Sequence, residues 1–85
     1  MKIHVKKSAR KELMKLPDNI LIKAFKVILT LNENPYPRGY DKVEGKENQL
    51  RLWIDKNYRI LYEVISNKDR LDIVAIRLKG EGTYK

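Results

Sequence analysis

The sequence predicts a small α+β domain, ordered β-α-α-β-β-β, in which a helical hairpin packs on one face of an antiparallel sheet. Three observations carry this. Apolar residues between Ala9 and Leu31 recur at helical spacing. From Gln49 to Leu78 the chain is rich in β-formers, broken by short polar turns. Between these halves, Asn32 to Tyr40 holds two prolines and a glycine and reads as a loop. With 85 residues the chain is one domain, residues 1–85. A domain of that size buries only about 60% of its unfolded surface.

Taken in order, Lys2-Ile3-His4-Val5-Lys6 alternates and predicts a short first strand. Ser8 is a suitable N-cap, and Ala9, Leu13 and Leu16 then fall on one helical stripe. Pro17 ends that helix and Asp18 can cap the next. Ile20, Leu21, Ala24, Phe25, Ile28, Leu29 and Leu31 give the second helix a wide apolar stripe. The tight Leu16-Pro17-Asp18 corner makes the pair a helical hairpin.

In the second half, Gln49 to Asp55 alternates, with Leu50, Leu52 and Ile54 on one face and Arg51, Trp53 and Asp55 on the other. Tyr58 to Ile65 and Leu71 to Leu78 are two further strands, and Ser66 to Asp69 is the turn between them. The turn at Lys56-Asn57 leaves the register open. A two-residue turn pairs Asp55 with Tyr58 and sends Arg51 and Arg59 to opposite faces. A three-residue turn or a bulge reunites them.

Nineteen Lys and Arg against eleven Asp and Glu give a net charge of +8. So strong a positive field in so short a chain suits a polyanionic partner, nucleic acid first. The absence of cysteine excludes a disulfide scaffold, a thiolate metal site and a cysteine nucleophile. One histidine cannot build a histidine-rich metal centre, and the acidic residues Asp55, Glu63, Asp69 and Asp72 lack metal-ligand spacing, so no metal or cofactor is expected. Met1 to Lys15 carries six Lys or Arg and no following apolar run. No signal peptide or membrane partner is therefore expected, and the reading is cytoplasmic.

An ordered series of short elements resembles the RelE/ParE superfamily of toxins from type II toxin-antitoxin modules. It consists of Leu16-Pro17, Asn34-Pro35 with Gly39, Lys42-Val43-Glu44-Gly45, Tyr58-Arg59-Ile60-Leu61-Tyr62-Glu63-Val64 and Tyr84. The resemblance spans nearly the whole chain and implies the same fold. It also implies one of two activities. RelE-like members cleave mRNA in the ribosomal A site, and ParE-like members inhibit DNA gyrase without cutting RNA. The RelE-like branch is favoured. In both branches a cognate antitoxin wraps the toxin through an acidic or amphipathic segment, and the complex commonly represses its own operon. A chain that has lost toxicity and serves only as the antitoxin's partner in repression is a third possibility.

The resemblance assigns roles residue by residue. Metal-independent cleavage needs a proton taken from the 2′-OH, stabilisation of the extra phosphorane charge and a proton given to the leaving oxygen. Arg59 matches the family's sheet arginine, which contacts the scissile phosphate. Arg51 stands at the first of two strand lysines; it can hold phosphate bidentately but is a poor base. Trp53 replaces the second lysine and is suited to stacking on a base. Lys79 matches the arginine ending the last strand, with Arg77 the alternative if the match slips by two. Tyr84 matches a C-terminal tyrosine that stacks or moves a proton. The catalytic candidates are thus Arg51, Arg59, Lys79 and Tyr84. Lys56, Arg77, Trp53 and the basic N-terminal residues Lys6, Lys7, Arg10 and Lys11 are candidate contacts to mRNA and ribosomal RNA.

Overall fold

The computed structural model describes residues 1–79. Its elements are β1 (Lys2–Val5), α1 (Lys7–Met14), α2 (Asp18–Glu33), β2 (Asp41–Lys42), β3 (Gln49–Trp53), β4 (Tyr58–Ile65) and β5 (Arg70–Leu78), with a 3₁₀ turn at Ser66–Lys68. The expected α+β class and element order are present. Two features add to it. Asp41–Lys42 forms a two-residue edge strand, pairing with Arg51 and Leu50 of β3. The first strand runs parallel to β5, with Ile3 opposite Leu71 and Val5 opposite Ile73. The sheet order is β1-β5-β4-β3-β2, and every pair other than β1–β5 is antiparallel.

The core lies between the helices and one sheet face. Ala9 and Leu13 of α1 and Ile20, Ala24 and Leu31 of α2 meet Leu52, Ile60, Tyr62, Leu71, Ile73 and Ile76. Each fully buried aliphatic side chain contributes about 1.5–3 kcal/mol. The stripe on α2 is narrower than its periodicity suggests. Phe25 and Leu29 were expected on the core stripe, yet they stand 52% and 65% exposed, alongside Ile22 at 57%. Helical spacing identifies an apolar face without saying whether the same chain covers it.

Local capping also gives way to tertiary contacts. Ser8 lies inside α1 rather than at its N-cap, which is Lys6. Its hydroxyl donates to the Val74 carbonyl at 3.4 Å. Asp18 likewise is the first residue of α2, after Pro17 at the cap, with no side-chain capping bond. Its charge still complements the helix N-terminus. The Ser8 contact belongs to a larger arrangement. Pairing with β1 ends at Ile73, so β5 beyond that point has an open edge. One turn along α1 from Ser8, Glu12 accepts the Ile76 N–H at 2.9 Å. Helix α1 therefore closes the edge with side chains where the first strand runs out.

Two irregularities set the register. The β3–β4 connection is a three-residue turn, with Ile54 N–H donating to the Tyr58 carbonyl at 2.8 Å. The Asp55 carboxylate accepts from the Asn57 and Tyr58 N–H groups at 2.8 and 2.9 Å. Trp53 is consequently opposite Arg59, and Leu52 opposite Ile60. Strand β3 ends two residues before the expected Asp55, because Asp55 enters the turn. In β5, Leu61 pairs with Ala75 and Tyr62 with Ile73, leaving Val74 as an inserted residue. Ile73 and Ile76 are three apart and would face opposite sides of a regular strand. The bulge returns both to the core, and the same shift puts Arg77 on the opposite face.

Candidate functional site

The face of the sheet away from the helices carries Arg51, Trp53, Arg59 and Arg77. Arg51 pairs with Leu61, Trp53 with Arg59, and Arg59 with Arg77, so all four project from the same side of β3, β4 and β5. The three-residue turn resolves the open register in favour of reunion. Directly opposed side chains lie about 4.5–5.5 Å apart at Cβ, and like charges there are destabilising. The Arg59–Arg77 pair is such a juxtaposition.

Each guanidinium is held differently. Arg51 Nη2 donates to Asp41 Oδ2 at 2.9 Å, across the short β2–β3 pair. That hydrogen bond, and a second from the Lys42 N–H, hold the Asp41 carboxyl below its usual range. Arg77 donates through Nη1 to Glu12, the carboxylate that also receives the Ile76 N–H. Arg59 has no carboxylate within ion-pair distance among the described residues and lies over the Trp53 ring, 5.7 Å from its centroid. The Nε–H groups of Arg51 and Arg59 are buried and find no acceptor among the described residues. Buried donors without a protein acceptor are costly.

The remaining candidates spread outward from this centre. Lys79 follows β5, exposed, and its N–H donates to the Asn57 carbonyl, which sets it beside the β3–β4 turn and near Lys56. Lys6 reaches the same sheet face through Glu63, at 3.9 Å. Lys7, Arg10 and Lys11 are exposed on α1. Tyr84 lies outside the described residues. Two residues absent from the expected site take part in it, Asp41 and Glu12. Glu12 carried a signal, being the one acid in a run with six Lys or Arg. Asp41 carried none, because nothing in sequence pairs it with a residue ten positions on.

Chemically, the face concentrates positive charge with aromatic cover. Guanidinium groups hold phosphate and stabilise added charge, but they do not take up a proton at neutral pH. Strand pairing brings the carboxylates of Asp41, Glu63 and Asp72 to this face, and Glu12 reaches it from α1 through Arg77. Asp72 is buried against Arg70, with an Nε–Oδ1 distance of 2.8 Å.

The five-stranded, mostly antiparallel sheet with two covering helices is a fold that known toxins of toxin-antitoxin modules share. The fold is similar to that of the archaeal RelE–RelB complex from Pyrococcus horikoshii OT3, with a TM-score of 0.79 and 23% identity over 93% of this chain and 94% of that one. It is also similar to the intact Escherichia coli RelBE toxin-antitoxin complex (TM-score 0.77, 21% identity, 88% and 92% covered). A YoeB/ParE toxin from Agrobacterium tumefaciens gives 0.78 at 18% identity, with 92% and 98% covered. No curated protein matches the chain by sequence. The model of the ParE toxin of the type II toxin-antitoxin system parDE matches residues 3–81, and the chain belongs to that family. No helix among the described residues is long and apolar enough to cross a membrane.

Proposed function

We propose that this toxin is a ribosome-dependent mRNA endoribonuclease, an mRNA interferase that stops translation by 2′-OH attack on the adjacent phosphate. The observation that carries the reading is the gathering of Arg51, Arg59 and Arg77 with Trp53 on one face of the sheet. Guanidinium groups so placed suit a phosphate. Arg59, braced by Trp53, contacts the scissile phosphate. Arg51 exchanges its exposed Asp41 partner for a second phosphate oxygen. The 2′-OH passes its proton to solvent as it attacks; Arg77, with Lys79 at the strand end, stabilises the phosphorane, and Lys79 or Tyr84 supplies the proton to the leaving oxygen. The ribosome aligns the mRNA, which offsets the weakness of these groups as bases. Lys6, Lys7, Arg10 and Lys11 add sequence-independent contact to ribosomal RNA.

The partner that silences it is an antitoxin with an acidic or amphipathic segment. The exposed Ile22, Phe25 and Leu29, interleaved with Lys23 and Lys26, suit such a segment. The test of the main reading is induction of the toxin alone, with mRNA ends mapped in translating extract. Codon-linked cuts are expected, and intact mRNA with normal translation refutes the reading. Gyrase inhibition is the second reading, supported by the ParE family match and by the lack of a neutral-pH base among the arginines. Unimpaired supercoiling at excess toxin removes it. Normal growth on induction would instead leave the non-toxic co-repressor.

A further inference from the structure

A second feature lies on the other side of the β2–β3 edge. Lys42 pairs with Leu50, whose neighbour Leu52 is in the core, whereas Asp41 pairs with Arg51. Lys42 and Arg51 thus project from opposite faces of one strand pair. On the Lys42 side is a cleft of about 350 Å³. Its walls carry Tyr36 and Tyr40 from the proline loop and Lys42, Glu47 and Asn48 from the β2–β3 hairpin; Leu50 and Val64 form an apolar floor.

The two tyrosines are held in place without being buried. Tyr36 N–H donates to Asn34 Oδ1 at 3.0 Å. The Tyr62 hydroxyl, on a fully buried side chain, donates to the Pro35 carbonyl at 2.8 Å. Pro37 is buried, and Tyr40 N–H donates to its carbonyl at 3.2 Å. Gly39 takes a positive φ of 95°, which lets the chain turn back toward Tyr40. The two rings meet edge to face, 5.6 Å apart, with Tyr36 49% and Tyr40 39% exposed. The three tethers fix the loop backbone that carries the rings, and burial does not account for two aromatic side chains left this exposed. A rigid loop presenting aromatic faces is a recognition surface.

We infer that this cleft binds one unstacked nucleobase of single-stranded RNA, with guanine favoured. A tyrosine ring supplies the stacking face. The Glu47 carboxylate is an acceptor-only group, and guanine alone presents two adjacent N–H donors on its pairing edge. The Asn48 amide reads a further edge position, and the Lys42 ammonium meets a phosphate. The strand β2 is the sheet edge, so RNA held at Arg51 passes round it into the cleft. The inference rests on the RNA reading above, and it adds a second subsite with base preference.

The test is NMR of the purified toxin, following the Tyr36 and Tyr40 ring signals and the Trp53 indole. Titration with GMP shifts both tyrosines and exceeds the effect of UMP, and Glu47→Gln abolishes the difference. Tyr36→Leu with Tyr40→Leu weakens a short guanine-containing ribo-oligonucleotide about tenfold. Trp53 reports the arginine face independently. If the oligonucleotide moves Trp53 and leaves the tyrosines still, the cleft inference is overturned while the RNA reading stands. If neither responds to any RNA, the cleft inference is overturned, and the RNA reading is decided separately by the mRNA ends mapped in translating extract. Tyrosine shifts with an acidic peptide but not with GMP would assign the cleft to a protein partner and overturn the inference.

Discussion

Replacing Glu12 isolates the contact that closes the open edge of β5. Its carboxylate makes two interactions of different worth. The bond from the partly buried Ile76 N–H, at 2.9 Å, is charge-assisted and contributes about 1.5–3 kcal/mol. The Arg77 pair joins side chains 40% and 35% exposed, so solvent screening reduces it to about 0.2–1 kcal/mol. Alanine regains a few tenths of a kcal/mol in helix propensity. Glu12→Ala is therefore expected to cost about 2–3 kcal/mol, roughly 10–20 °C in Tm for a domain of this size. Glu12→Gln keeps an oxygen for the Ile76 N–H and loses the charge, so it should cost about 1 kcal/mol or less. Urea denaturation followed by circular dichroism measures both. A Glu12→Ala loss below about 0.5 kcal/mol would show that water closes the edge equally well. Equal losses for the two variants would move the stabilisation from the edge bond to the ion pair.

Arg59→Ala should abolish growth arrest on induction while changing stability by less than about 1 kcal/mol, the scale of its contact with Trp53; persistent toxicity would remove Arg59 from the site. Tyr62→Phe should cost about 1–1.5 kcal/mol, because the Pro35 carbonyl loses its buried donor, and thermal melting will read a drop of several degrees. Asp41 and Asp55 should titrate below the ordinary aspartate value of about 3.9, Asp41 through Arg51 and Asp55 first through the Asn57 N–H. Carboxylates depressed in the folded state stabilise it above their unfolded pKa, and that contribution is lost as pH falls through the lower folded values. Carboxyl carbon shifts measured by NMR against pH check this, and midpoints at or above 3.9 contradict the assigned bonds.

Much of the fold was legible from spacing alone. Tyr58–Ile65 has the expected bounds, and both helices are present, although α1 ends at Met14 and leaves Leu16 of its stripe outside the helix. The gathering of Arg51, Trp53 and Arg59 was legible only as one of two outcomes. Its decision lay in whether the Asp55 carboxylate would take two backbone N–H groups and make the turn three residues long. Arg77 was readable as a cation but not as a member of the same face, because the Val74 bulge answers a packing demand from Ile73 and Ile76. Ser8 misled because the chain passes from β1 into α1 at Lys6, which places Ser8 inside the helix with its hydroxyl toward the Val74 carbonyl.

By itself the sequence determined the α+β class, the basic character and the chemical types available, because periodicity, composition and side-chain chemistry are local properties. Only the tertiary structure decided which residues share a face and which cations remain free. The parallel pairing of β1 with β5, the Glu12 clamp on Arg77 and the Asp41 clamp on Arg51 join residues separated along the chain. Strand parity turns on one inserted residue, and an ion pair on a few ångströms. Those quantities are set when the whole core packs.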